Sequence, residues 1–351
     1  MNHESLIRDA VFQLNLLLWM AKEQPHEAFV VRPVYHALGF RLIYIEHPFK
    51  FPQESLNAID ASTLAISREP EPEVILGREA DRHALYFEAK ADSFSPDSDN
   101  SKQARGHLLA TGPAFAEVMA PLSSCLLCYL VPEGKRDLMH DCLDELAQQL
   151  SDAGLEPGPH STHGLSVVDR ELRYSWDEAF KKHVAVDGDG AVVMHDLEED
   201  TDPNPLLLVY SVEDYPDRER QDLLRQSLID QVHALLLSEL HRLAPGAAYE
   251  RSADSLLVEM TDGVFHYLGR HRQKEMQKLV RTSILRRIHD YCQDRFEDTV
   301  TLTGGVLRIS FPDQDGKTSF LDWFEDAKRT AFSVKKPPQK SLPLFPDLDD
   351  D

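Results

Sequence analysis

Apolar and polar positions in the first third of the chain alternate between helical and strand spacing. Residues 4 to 23 carry Ala10, Leu14, Leu17 and Ala21 on one stripe between polar positions, which predicts an amphipathic helix. EAFVVRPVYHALGF predicts a second, short helix, because Pro33 suits a first helical turn and Gly39 is a natural C-terminal stop. RLIYIE reads as a strand. After a loop rich in Pro, Glu and Ser, EVILGRE, the turn ADRH and ALYFEAKA form the pattern of a β-hairpin. SKQARGHLLA opens a helix expected to run to Met119, and SSCLLCYLVP is a strand. KRDLMHDCLDELAQQLSDAG adds an amphipathic helix and GLSVVDREL one further strand. The core order is therefore helix, three strands, helix, strand, an α/β arrangement.

From Asp187 to Pro205 the chain is dominated by Asp, Glu, Gly and Pro without apolar periodicity, so a domain boundary is expected there. The predicted division is an α/β domain over 1–180, an acidic linker over 181–205, a second α/β or α+β domain over 206–335, and a flexible acidic tail over 336–351. In the second domain LLLVYSV reads as a strand, and RERQDLLRQSLIDQVHALLLSELHRL as a long helix with Leu224, Leu228, Val232 and Leu236 on one stripe. Residues 270 to 288 place Arg270, Lys274, Lys278 and Arg281 along one side of a helix, nearly opposite Met276, Val280, Ile284 and Ile288. That basic stripe suits either a phosphate-binding surface or a solvated helix face.

Composition narrows the class. A chain of 351 residues suits two domains of ordinary size. Its 42% apolar and 28% charged residues describe a globular protein, and no apolar run approaches the roughly 20 residues of a membrane span. The opening MNHESLIRDA lacks the features of an export signal, so a cytoplasmic location without membrane attachment is expected. Cys125 and Cys128 form one CxxC inside an apolar strand, and Cys142 and Cys292 stand alone, which suits packed thiols better than zinc. The sixteen histidines include no HExxH or comparable pair and read as surface or core residues. A net charge of −23 opposes phosphate binding unless basic groups gather locally or a protein partner supplies them.

The chemistry-bearing segment is Pro72-Glu73 followed by Glu88-Ala89-Lys90. Alternate strand residues share a face, so Glu88 and Lys90 project with Tyr86 while Leu85, Phe87 and Ala89 face the other way. Glu73 starts the neighbouring strand. Two carboxylates and an ammonium would converge at one end of a sheet, supplying hard oxygen ligands for Mg²⁺ or Mn²⁺ and a cation beside the reacting phosphate.

These residues resemble the PD-(D/E)xK nuclease superfamily, with Pro72-Glu73 at its PD position and Glu88-Ala89-Lys90 at its (D/E)xK, over roughly residues 23 to 131. The resemblance implies a restriction-endonuclease-like αβββαβ core and a metal-dependent endonuclease acting on DNA, with RNA as a further candidate substrate. It further implies the effector of a bacterial restriction or anti-phage system; the strong acidity favours a protein partner, and a homodimer is a further candidate assembly. Glu27, leading into FVVRPVYHALGF, is similar to the acidic residue that completes the metal site in type I restriction-subunit nuclease domains. The main-chain carbonyl of Ala89 would join Glu27, Glu73 and Glu88 as a ligand. Gln103 stands where several branches carry a helical glutamine, and Lys102 and Arg105 beside it are candidate phosphate contacts, as are Arg270, Lys274, Lys278 and Arg281. Most members carry Asp where this chain has Glu73; Asp60 and Asp81 are candidate substitutes for it, and Glu23 is a candidate substitute for Glu27. The alternative is a nuclease fold kept as a binding or regulatory subunit without the reaction.

Overall fold

A computed structural model of the chain describes residues 3–23, 31–197, 207–209, 218–244, 246–296 and 299–327. It divides into two compact units, Met1–Leu207 and Leu208–Asp351.

The first unit is mixed α/β around a seven-stranded sheet in sequence order, β1 to β7. Strands β1 (Arg41–Ile45), β2 (Val74–Arg78) and β3 (His83–Ala89) pair antiparallel, and β3 pairs parallel with β4 (Ser124–Pro132) and β4 with β5 (His160–Val168). The antiparallel strands β6 (Glu171–Trp176) and β7 (Gly190–Met194) complete the sheet. Every residue of β3 is buried. A strand covered on both faces must be apolar on both, which is why HALYFEA shows little alternation outside its acidic residue.

One face packs Ile75, Tyr86, Leu127 and Val131 against Ala104 and Leu108 of α5 (Asp99–Leu109) and Leu143, Leu146 and Leu150 of α6 (Arg136–Asp152). On the other, Tyr35 of α3 (Val34–Ala37) meets Phe87 with ring centroids 5.1 Å apart, and Phe180 of α7 (Glu178–Val184) at 6.3 Å. Its hydroxyl lies 2.5 Å from that of Tyr174, so two buried phenols satisfy one another.

The N-terminal stretch is two helices, α1 (His3–Ile7) and α2 (Ala10–Ala21), because Asp9 caps the second by accepting the Phe12 N–H at 3.0 Å. Ten residues of α2 are buried, including Gln13 and Asn15, so it is a central helix and not the amphipathic one expected. The loop after β1 contains a helix, α4 (Gln53–Ala61), and α5 stops at Leu109, with one tight turn (Gly112–Phe115) before β4. GLSVVDREL is not one strand: Asp169 and Arg170 both take positive φ, 52° and 66°, and fold it into the β5–β6 hairpin. The predicted linker is likewise corrected, since residues 181–197 supply most of α7 and all of β7, within the first unit. Residues 198–206 and the tail 336–351 lie outside the described residues.

The second unit holds the long helix α8 (Arg218–Arg242), which buries Leu228, Val232 and Leu236. A three-stranded antiparallel sheet has the order β8 (Ala248–Ser252), β10 (Val306–Ser310), β9 (Val300–Thr303). Residues 207–209 form no strand, and the rest of LLLVYSV lies outside the described residues. After α9 (Ala253–Met260), α10 (Arg270–Val280) continues through one wide turn, Arg281–Leu285, into α11 (Arg286–Phe296). The Arg286 N–H closes that turn on the Arg281 carbonyl, an i to i+5 bond. The last helix among the described residues, α12 (Gln314–Ala327), adds Phe320 and Phe324 to the core. Among the described residues no helix is long and apolar enough to cross a membrane.

Helix α5 is docked on the segment leading into β2. The Ser67 N–H donates to the Lys102 carbonyl at 2.8 Å, and a Cβ on Gly106 would come within 2.8 Å of the Ser67 carbonyl oxygen. Alanine in a helix normally improves on glycine by about 1 kcal/mol. Gly106→Ala is expected to reverse that sign and destabilise the protein by roughly 1–3 kcal/mol through forced displacement of α5. A urea midpoint equal to or above that of the wild type would show the packing to be looser than described.

Candidate functional site

The hairpin of β2 and β3 sets the geometry. Val74 pairs with Phe87, so Glu73, one residue earlier, lies beside Glu88, one residue later. Glu73 also shares a face with Ile75, and Glu88 with Tyr86, by strand alternation. The Glu73 N–H donates to the Phe87 carbonyl at 2.9 Å, and its carboxylate Oε2 accepts the Ala89 N–H at 3.2 Å. Lys90 is anchored by its own N–H on the Leu130 carbonyl at 2.8 Å, and its Nζ reaches Glu88 Oε1 at 2.6 Å. The three side chains named from the sequence are therefore brought together.

Their electrostatics are those of two acids sharing too little positive charge. Burial, reinforced by the Glu88 charge, raises the Glu73 carboxyl well above its ordinary value against the opposing pull of Lys90 and the Ala89 amide. Burial alone would lower the Lys90 ammonium, but Glu88 and Glu73 outweigh it and hold its value up. The Glu88 side chain is 3% exposed and that of Lys90 25%, and Glu88 Oε2 is buried without a hydrogen-bond partner. An unsatisfied carboxylate oxygen beside a second carboxylate fits a hard divalent cation, which would supply both the missing charge and the missing partner.

The remaining predicted residues divide. Gln103 does not bond either carboxylate; its Nε2 donates to the Glu71 carbonyl at 3.3 Å, on the chain just before Pro72-Glu73. Lys102 is exposed on α5 and lines an open cleft of about 690 Å³ with Lys50, Arg68 and Glu69, which none of Glu73, Glu88 and Lys90 lines. Arg105 is a correction: it is buried, donating to the carbonyls of Ala65 and Pro96 and to Gln149 Oε1, so it ties α5 to its neighbours and offers nothing to a phosphate. Glu27 lies outside the described residues. Asp60 and Asp81 are not brought to the site, being paired with Arg68 and Arg78 at 2.7 Å each, and Glu23 is exposed beyond α2. In the second unit Arg270, Lys274, Lys278 and Arg281 are all exposed, with Arg281 3.5 Å from Asp254. Cys125 and Cys128 sit three apart on β4, hence on opposite faces, and are packed thiols.

Two contributors escaped the sequence. Gln13, buried in α2, donates from Nε2 to the carbonyls of Ile7 at 2.7 Å and Lys90 at 3.3 Å, clamping the main chain of the lysine. An amide inside the apolar run AVFQLNLLLWMA was the available signal. His107, one turn beyond Gln103, is buried with Nδ1 3.3 Å from the Tyr129 hydroxyl, and Tyr129 pairs with Glu88 in register. Burial lowers the imidazole, opposed by Glu88, so it stays neutral beside the acids.

A raised carboxyl binds its proton more tightly folded than unfolded, so its contribution to stability is present below the ordinary glutamate value and is lost as pH rises through the raised one. Glu73→Gln cannot ionise and keeps an acceptor for Ala89. In EDTA it is expected to raise the melting temperature above wild type at neutral and alkaline pH, with the advantage gone below about pH 4. A glutamine variant less stable than wild type at pH 8 would show that Glu73 is not electrostatically strained. Comparison of the chain with protein-family models, curated proteins and solved structures returned no match.

Proposed function

We propose that the chain is a metal-dependent nuclease that hydrolyses DNA phosphodiester bonds at Glu73, Glu88 and Lys90, on a restriction-endonuclease-like core. The observation that carries this reading is the convergence of two carboxylates and an ammonium at the end of one buried hairpin, with one carboxylate oxygen left unpartnered. The order α3, β1, β2, β3, α5, β4 supports it, with α4 as an insertion between β1 and β2. Glu73 and Glu88 would hold Mg²⁺ or Mn²⁺, with the Ala89 carbonyl next to them in the chain; such an ion, when bound, polarises a phosphoryl oxygen and acidifies water. Lys90, partly exposed, would leave Glu88 to meet the negative charge that develops on the phosphoryl group. Gln103 and Gln13 act as positioning residues through the main chain at Glu71 and Lys90. Lys102 and the exposed stripe Arg270, Lys274, Lys278 and Arg281 are proposed as phosphate contacts, and the strongly acidic remainder favours help from a protein partner or a second copy. A role as effector of restriction or anti-phage defence belongs to the same proposal.

The second reading is a binding subunit without the reaction, and one observation favours it: Lys90 and Glu88 already neutralise one another at 2.6 Å. Incubation with supercoiled plasmid, single-stranded DNA or RNA in Mg²⁺ or Mn²⁺ decides between the two. The nuclease reading expects cleavage that falls about 10²–10³-fold in Lys90→Ala, the usual loss for one stabilising donor. It also expects Mg²⁺ to stabilise wild type but not Glu88→Gln, by about 2.7 kcal/mol at a hundredfold excess over Kd. Equal behaviour of wild type and Lys90→Ala on every substrate would leave the binding subunit.

A further inference from the structure

A second group of metal-ligating side chains lies in the first unit, away from the acidic hairpin. His140 and Asp144 stand one turn apart on α6, an i, i+4 pair on one helix face, and His160 opens β5. His160 Nε2 is 2.9 Å from Asp144 Oδ1, His140 Nε2 is 3.6 Å from Asp144 Oδ2, and one ligand atom from each residue lies within 4.8 Å of the others. Tetrahedral zinc with bonds of about 2.0–2.1 Å sets its ligand atoms about 3.3 Å apart, so small side-chain rotations close the set. In register His160 pairs with Leu127, and Leu127 with Tyr86, so the group sits two strands over from β3 and two residues back from Glu88.

An exposed histidine and aspartate one helical turn apart are common as a plain surface pair. Two features go beyond that. The third donor comes from a different element and its side chain is only 12% exposed, while His140 and Asp144 remain open to solvent at 40% and 59%. The far nitrogen of His140, Nδ1, is buried without a hydrogen bond and faces Asp177 Oδ2 at 3.6 Å. Asp177 is itself fixed, accepting the Thr162 N–H at 2.9 Å, the Ser161 hydroxyl at 2.7 Å and the Phe180 N–H at 3.0 Å. At 3.6 Å this rigid carboxylate is a small ring rotation away from the hydrogen bond by which carboxylates orient ligating histidines.

We propose that His140, Asp144 and His160 bind a zinc-class transition-metal ion, with Asp177 as the positioning residue behind His140. Two imidazoles and one carboxylate select this class over Mg²⁺, whose preferred ligands are oxygens, and leave a fourth position to solvent. The ion joins the middle of α6 to the first residue of β5, where the edge of β5 toward β6 is not yet paired. This site is independent of the proposed nuclease reaction and needs no activity to be detected.

The test uses the full chain stripped with EDTA and titrated with Co²⁺, whose visible bands are intense in tetrahedral and weak in octahedral sites, then with Zn²⁺ in competition. One equivalent of Co²⁺ is expected to give intense bands that Zn²⁺ abolishes. His140→Ala and His160→Ala should lose them, Asp177→Asn, which still caps α7, should weaken binding about 10–100-fold, and Glu88→Gln should leave them unchanged. Circular dichroism checks each variant; if His160→Ala unfolds, the more exposed His140→Ala carries the test. Absence of intense bands in wild type, their persistence in His140→Ala, or their loss in Glu88→Gln overturns the proposal.

Discussion

Antiparallel pairing of β2 with β3 sets Glu73 beside Glu88 whether or not the two charges tolerate one another. The backbone partners on either side, Glu73 with Phe87 and Lys90 with Leu130, leave neither residue room to turn away. Burial and the neighbouring Glu88 charge together raise the cost of ionising Glu73. Lys90 supplies one positive charge where two would be needed. The surrounding polar groups hold this imbalance in place without cancelling it: Gln13 grips the Lys90 carbonyl, Gln103 the Glu71 carbonyl, and Tyr129 with His107 walls the far side. An arrangement that is costly alone is one that a bound cation would relieve, which is what the proposed metal site requires.

The hairpin was legible because its information is local. The two-residue repeat of a strand states that Glu88 and Lys90 point the same way, and a short turn brings Pro72-Glu73 alongside. The β5–β6 hairpin was not legible, for a specific reason. Two-residue turns with positive φ at both positions normally announce themselves by Asn-Gly or Asp-Gly, and here Asp169-Arg170 adopts that backbone. Helix α4 buries only Ile59, too little periodicity to distinguish it from loop. Strand β7 is short and partly exposed, and its Gly- and Asp-rich flank reads as linker until a partner strand is known.

Side-chain roles were less legible than elements. Arg105 and Lys102 look alike in the sequence, yet the first is an internal brace and the second is on the surface, because α5 packs its 105 face onto the 65–70 segment and α6. Gln13 contributes through a backbone carbonyl 77 residues away, which no spacing rule reveals. The same holds for His140, Asp144 and His160: the helical pair is visible as a spacing of four, but the third member depends on where β5 begins.

The wide turn at Arg281–Leu285 has a consequence for the phase of its helix. Apolar residues repeating every fourth position, as Met276, Val280, Ile284, Ile288 and Cys292 do, advance about 40° beyond a full circle at each step, or about 160° over the series. In an unbroken helix the last of them would be swung almost to the opposite side. One i to i+5 loop absorbs about one residue, roughly 100° of that drift, and all five remain buried. Deleting a single residue there would leave the helix regular with its two halves still in step, since the wide turn is what accommodates the extra residue.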